Sequence, residues 1–279
     1  MTKIVGICSG KGGVGKTTIA TNLALAIKKF GHNVIIIDCN LSTPHLSYYL
    51  GVSQHDGTIN DVLLEKKDIT EVLTRYHNIL YVPASLNMDD LIGTDPMKLK
   101  KFLTKLTKTE MIDYIILDSA PGLGREALSV LDAADELVFV ATPFIPMIND
   151  VIRCKTTAEE LKGTKNLSIV LNMVTGMKHE VLGSNIERVS GMPVIGEIPF
   201  DKNVIYSLVS RVPVINYKPS SLASIGIMQL AARLTKNEYK PPTKLKIHNL
   251  FARIKNSVLA EKIRTPKPIE QVRGNIFLR

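Results

Sequence analysis

At 279 residues and a net charge of +9, the chain is long enough for one α/β domain of roughly 240 residues plus an appendage; residues 240–279 hold ten Lys and Arg against two Asp and Glu, so the basicity belongs to the appendage. Three scattered cysteines, Cys8, Cys39 and Cys154, an odd number without C-x-x-C spacing, argue against a disulfide frame or a structural zinc site and suit a reducing cytoplasm. No apolar run of about 18 residues is present, and a chemistry-bearing motif starts at residue 10, which argues against a membrane span and a removable signal peptide.

The first predicted element is the strand Ile4-Val5-Gly6-Ile7-Cys8, and behind it comes Gly10-Lys11-Gly12-Gly13-Val14-Gly15-Lys16-Thr17-Thr18. From Gly10 the spacing fits G-x-x-x-x-G-K-[ST], a loop whose backbone N–H groups cradle a triphosphate. Gly10, Gly12, Gly13 and Gly15 serve that backbone, because a loop wrapping an anion often runs at φ > 0, where a Cβ clashes. Lys16 is placed as the point charge on the β- and γ-phosphates and Thr17 as the hydroxyl ligand of Mg²⁺. Residues 18–30 carry Ile19, Ala20, Leu23, Ala24, Ile27 and Phe30 at helical spacing. The loop therefore lies at a helix N-terminus, whose partial positive charge favours an anion. Lys11 is left over. A P-loop needs no cation there, and with the backbone wrapped round the phosphates its side chain is available to a neighbour.

Two further apolar runs end in a carboxylate. Residues 33–38 (NVIIID) and 114–118 (YIILD) read as buried parallel strands. A carboxylate at a strand's end can serve only as a helix cap, but with a P-loop in the same chain Asp118 is the candidate to face Mg²⁺ through water, and the Gly-rich stretch Ser119-Ala120-Pro121-Gly122-Leu123-Gly124 behind it a candidate switch. Residues 136–141 and 167–172 add two strands, the second ending in Asn172, whose amide can pair with the edge of a base. Residues 219–234 read as a terminal helix. Lys240-Pro241-Pro242 reads as a linker, because paired prolines stop a helix and extend the chain.

The string Lys-Gly-Gly-Val-Gly-Lys-Thr-Thr at 11–18 resembles the deviant P-loop of the MinD/ParA family of dimerising ATPases, and over residues 1–239 the motif order is most similar to its MinD-like, septum-site-determining members. The resemblance implies a doubly wound, mostly parallel α/β sheet of the P-loop NTPase class, ATP and Mg²⁺ as ligands, and a homodimer formed through ATP. In such a dimer Lys11 crosses to the partner's phosphates and stabilises charge in phosphoryl transfer, as an arginine finger supplied in trans does. The resemblance also implies Asp38, Asp118 and Thr17 around the metal, Asn172 on adenine, and the loop Ile198-Pro199-Phe200-Asp201 over the base, with Asp201 as a further contact. The resemblance places Asp150 at a dimer or regulator-binding face, and ordinary surface solvation accounts for it equally well. Iron–sulfur carriers built on the same core need a cysteine pair that this chain lacks. One departure bears on catalysis: Asp38-Cys39-Asn40 puts an amide where the family carries a second acid that orients the attacking water. Asn40 holds a water but takes no proton from it, so slow hydrolysis with intact binding is expected.

Behind the linker, residues 244–263 read as an amphipathic helix. Ile247, Leu250, Phe251, Ile254 and Val258 lie at spacings of 3, 4, 7 and 11 from the first, and Lys244, Lys246, Arg253 and Lys255 flank them. That is the signature of a helix lying in a membrane interface. At about 1 kcal/mol per basic residue near an anionic surface, the four supply about 4 kcal/mol, marginal for one chain but reinforced when a dimer presents two tails. The expected function is a weak ATPase, open to stimulation by a regulatory partner, that cycles on and off the inner face of the cell membrane to position cell-division or other machinery. A ParA-like DNA-segregation ATPase, whose basic tail neutralises nucleic-acid phosphates, and a nucleotide-dependent scaffold with little hydrolysis fit the same motifs. The tail's periodicity also fits packing on its own core or docking on a partner. Its apolar face favours lipid over nucleic acid.

Overall fold

Runs such as Val34–Cys39 (VIIIDC) and Tyr114–Ser119 (YIILDS) carry apolar side chains on both faces of the strand. In the computed structural model, which describes residues 2–109, 111–161 and 166–242, every residue of both runs is buried. That is the mark of a parallel sheet covered on both sides. Among the described residues eight strands build it: β1 Lys3–Cys8, β2 Val34–Cys39, β3 Thr74–Tyr76, β4 Ile79–Val82, β5 Tyr114–Ser119, β6 Glu136–Ala141, β7 Asn166–Val174 and β8 Val194–Pro199. Their order is β3-β4-β2-β5-β1-β6-β7-β8, parallel throughout except for the β3–β4 hairpin. The chain thus winds outward in both directions from β1, and the doubly wound expectation holds.

Period-two alternation assigns the helices to faces. Ile35, Ile37, Leu117, Phe139 and Leu171 pack in one core with residues of α4 Leu99–Thr109, α5 Arg125–Ala133 and α6 Ile145–Glu160. Ile7, Ile36, Ile116, Val138 and Val170 pack in a second core with α1 Lys16–Lys29 and α10 Leu222–Thr235. Short helices fill the connections: α2 Leu46–Leu50, α3 Ile59–Leu63, α7 Gly183–Ser190, α8 Lys202–Val209 and α9 Val214–Tyr217. Buried Asn22 ties α9 to α1. Its amide donates to Thr18 O, and its carbonyl accepts from Ile215 N at the start of α9.

Several boundaries differ from those expected. The first helix begins at Lys16 rather than residue 18, because Gly15 already caps it and the lysine and threonines form its opening turn. The terminal helix begins at Leu222 rather than 219, since the Ser221 hydroxyl accepts from Ser224 N and sets the start there. The strand expected over 167–172 runs from Asn166 to Val174. Met1–Tyr239 forms one compact unit. The amphipathic helix expected over 244–263, with Ile247, Leu250, Phe251, Ile254 and Val258, lies outside the described residues.

Candidate functional site

Strand register decides what meets at the C-terminal rim of the sheet. Asp38 on β2 stands opposite Asp118 on β5, and Asp118 opposite Ile7 on β1, so the two carboxylates lie side by side on the face that carries α1. The loop that leaves β1 curls over them. Gly13 and Gly15 take the left-handed backbone at φ 80° and 93°, which only glycine adopts cheaply. Gly15 is needed for space as well: a Cβ there would stand 2.3 Å from Asn172 Nδ2. At Gly10 a Cβ would meet Asp150 Cβ at 2.4 Å and that residue's backbone at 2.9 Å.

The Lys16 side chain is buried, and burial lowers its pKa against the pull of Asp118 and Cys8. Burial pushes Asp118 up to about 7; the Asp38 charge adds to this, while Thr17, Lys16 and His45 oppose it. The Thr17 hydroxyl faces Asp118 without completing a hydrogen bond, and neither carboxylate oxygen has a partner. An orphaned buried carboxylate beside a threonine hydroxyl and a lysine fits a hydrated divalent cation, since Mg²⁺ keeps several waters and takes one or two carboxylates. Asp38 is used differently. Its oxygens accept from Asn40 N at 3.0 Å, His45 N at 3.2 Å and Leu46 N at 3.1 Å. Burial nevertheless pushes Asp38 up to about 6, with those bonds opposing the shift. It anchors the loop after β2, and Oδ1, which takes one bond, keeps an acceptor position for a metal-bound water.

Asn40 lies in that loop and lines the cavity. Its amide donates to Thr43 O at 2.7 Å and accepts from the Thr43 hydroxyl at 3.2 Å. Half of the amide's capacity therefore holds the loop in shape, and half remains unused on a residue that lines the cavity. Leu41 N and Ser42 N donate to Glu126 on α5 at 2.9 and 3.4 Å, and the Ser42 hydroxyl donates to the same carboxylate.

From the P-loop the cavity, about 450 Å³, runs toward β7, β8, α8 and α10, a volume typical of small-molecule sites. This end is apolar, lined by Met173, Ile198, Phe200, Val204, Ile205 and Ile227. Asn172 is its polar member. One amide hydrogen goes to Val14 O at 2.8 Å, which leaves the side-chain oxygen and a second N–H. A bulge in β7 between Leu171 and Val174, with Met173 at φ 58°, sets the strand's end against the P-loop. Asp201 also lines the cavity, but its carboxylate caps α8 through Asn203 N and holds Ala223 N on α10. Burial works against its charge, and these hydrogen bonds prevail and hold Asp201 below its ordinary value.

Lys11 sits apart from its own cavity. Its side chain is 56% exposed and its ammonium lies 3.6 Å from Asp150 on α6. Cys8, Cys39 and Cys154 are all free and buried, and burial pushes Cys8 up to about 12 and Cys154 to about 11. Thiols so held are poor nucleophiles and metal ligands.

The ParA family model, described as the NUBPL iron-transfer P-loop NTPase, matches residues 1–235. The chain belongs to the ParA family. An uncharacterized ATP-binding protein of Methanocaldococcus jannaschii is 34% identical over 230 residues, 82% of this chain and 86% of that protein. A second from the same organism is 31% identical over 254 residues, 91% and 95% of the two chains. Among solved structures, the septum site-determining protein MinD of Pyrococcus horikoshii, complexed with Mg-ADP, has a TM-score of 0.79 at 27% identity, covering 85% of this chain and 97% of that one. The ParA-family P-loop thus gathers Lys16, Thr17, Asn40 and Asn172 around one cavity, with Asp38 and Asp118 buried near the ends of β2 and β5, and leaves Lys11 outside it. The sequence reading missed Glu126. An acid in a helix's first turn reads as dipole compensation, and nothing local indicates that it reaches residues 41 and 42.

Proposed function

We propose that this chain is a MinD-like ATPase of the cytoplasm that dimerises on ATP, hydrolyses it slowly, and cycles on and off an anionic membrane to position other machinery. Lys11 carries the reading: a lysine within the P-loop that lines none of its own cavity, half exposed and held by one carboxylate at 3.6 Å, is free to serve a second copy. ATP lies with its phosphates on Gly12–Thr18 and its base in the apolar end, where Asn172 offers an oriented acceptor to an amino-bearing base. Thr17 and Asp118 hold Mg²⁺, which neutralises charge on the β- and γ-phosphates when bound. Asn40 in place of an acid keeps turnover low and leaves room for a stimulating partner protein. Residues 1–239 are the ATPase domain and residues 240–279 the membrane foot, peripheral on the inner face of the membrane. Among the described residues no helix is long and apolar enough to cross a membrane.

The test is sedimentation of the full chain with ATP or ADP, alone, with anionic liposomes and with DNA. Dimers and lipid binding are expected with ATP only. Dimers should vanish in Lys11→Ala, and lipid binding should vanish when Phe251 and Ile254 are both changed to Glu. Binding to DNA alone would refute the membrane reading in favour of the segregation-type alternative; ATP-dependent dimers without phosphate release would indicate a scaffold.

A further inference from the structure

We propose that Glu126 is a positioning residue for ATP hydrolysis: it clasps the loop after β2 to the first turn of α5, so that the two segments facing the phosphates move as one body and Asn40 keeps its aim. The proposal rests on the ATPase reading above.

The loop between β2 and α2 is held by charge. Asp38 takes the N–H groups of Asn40, His45 and Leu46. Glu126 takes those of Leu41 and Ser42 together with the Ser42 hydroxyl. The Glu126 contacts span 84 and 85 residues of chain, and they join two parts of the rim beyond the point where β2 and β5 stop pairing. On the α5 side, Gly122 N donates to Ser9 O at 2.9 Å, tying the segment after Asp118 to the P-loop, and Arg125 pairs with Asp95 at 2.9 Å. On the other side the clasped pair adjoins Asn40, whose amide is fixed within the loop by Thr43. Glu126 does not line the cavity, so it touches no nucleotide. Its effect passes through Asn40. Hydrogen bonds to a charged acceptor are about twice as strong as neutral ones, and three on one carboxylate make the loop's opening and the first turn of α5 a single event.

The experiment compares wild type, Glu126→Gln, Ser42→Ala and the double variant by ATP turnover, by binding of a fluorescent ATP analogue, and by amide hydrogen exchange with ATP or ADP. Gln at 126 keeps an oxygen for the Leu41 and Ser42 amides and turns its N–H₂ to the Ser42 hydroxyl, which can accept, but it removes the charge, so each bond of the clasp falls to about half its strength while volume is kept. We expect kcat to fall at least about tenfold, the size of one charged hydrogen bond, with KM and analogue affinity within about threefold. Exchange at Leu41 and Ser42 should rise by a similar factor while the amides of β2 and β5 stay protected. Ser42→Ala, at an exposed position, should give a smaller loss in the same direction, and adding it to Glu126→Gln should cost less than it does in the wild type. Unchanged kcat, or a lower kcat with exchange at 41 and 42 unaltered, would overturn the proposal, as would equal loosening of β2 and β5. No turnover by wild type would refute the hydrolysis reading alone, because exchange reads the clasp without turnover.

Discussion

Asp118→Asn should make the nucleotide-free protein less sensitive to pH. Both rim carboxylates titrate higher in the fold than in the unfolded chain, Asp118 to about 7 and Asp38 to about 6 from 3.8. The native state then binds more protons than the unfolded state between pH 4 and 7, so stability falls as pH rises through that window, opposite to a salt-bridged acid. From pH 5 to pH 8 Asp118 crosses about two units and Asp38 about one. At 1.36 kcal/mol per unit the pair lowers stability by about 4 kcal/mol. With Asn at 118 only Asp38 remains, and the loss should shrink to about 1 kcal/mol. Urea unfolding at pH 5 and 8 with EDTA measures both; the comparison across pH cancels any cost of burying the amide. Adding Mg-ATP at pH 8, at about 100 times its Kd, should restore about 2.7 kcal/mol to the wild type and much less to the variant. Equal pH losses in the two proteins would refute the claim that Asp118 is held as an unpaired buried charge.

Three more outcomes follow from the site. Gly10→Ala pushes a Cβ into the backbone of α6 at Asp150 and should cost about 2–3 kcal/mol, or about 5–10 °C in Tm. Gly12→Ala, whose Cβ comes no nearer than 4.0 Å to Pro121 Cγ, should leave Tm nearly unchanged, and equal shifts in calorimetry would contradict the geometry. Asp201→Ala removes a cap worth about 0.5–2 kcal/mol and should lower Tm while ATP affinity stays within about threefold; a loss beyond tenfold in titration calorimetry would make Asp201 a base contact instead. Asn40→Asp supplies the absent acid and should raise kcat at least about tenfold without changing ATP affinity, which a phosphate-release assay would disprove by finding equal rates.

Most of the architecture was legible because its signals are local. The run at 10–18 names its own chemistry, and β-branched stretches buried on both faces demand a parallel sheet. Asp118 could be read as a metal-side carboxylate because it ends such a stretch. Its neighbour at 38 looks the same in sequence but serves as a loop anchor, since the direction of a peptide N–H eight residues away has no sequence signature. The family resemblance makes Asp201 a base contact, whereas its carboxylate is engaged in capping α8. Glu126 was invisible for the same reason: its partners are backbone groups more than eighty residues away. Strand interiors are written in side-chain type, and loop geometry in backbone hydrogen bonds that any residue can make.

The outer strands of the sheet carry a consequence for solubility. At one end β3 is three residues long and shows Arg75 to solvent; at the other β8 shows Glu197 and finishes at Pro199, which has no N–H to offer. Short length, charge and proline are the devices that stop one sheet from growing onto another. Growth of the sheet edge to edge into fibrils is thereby discouraged at both ends.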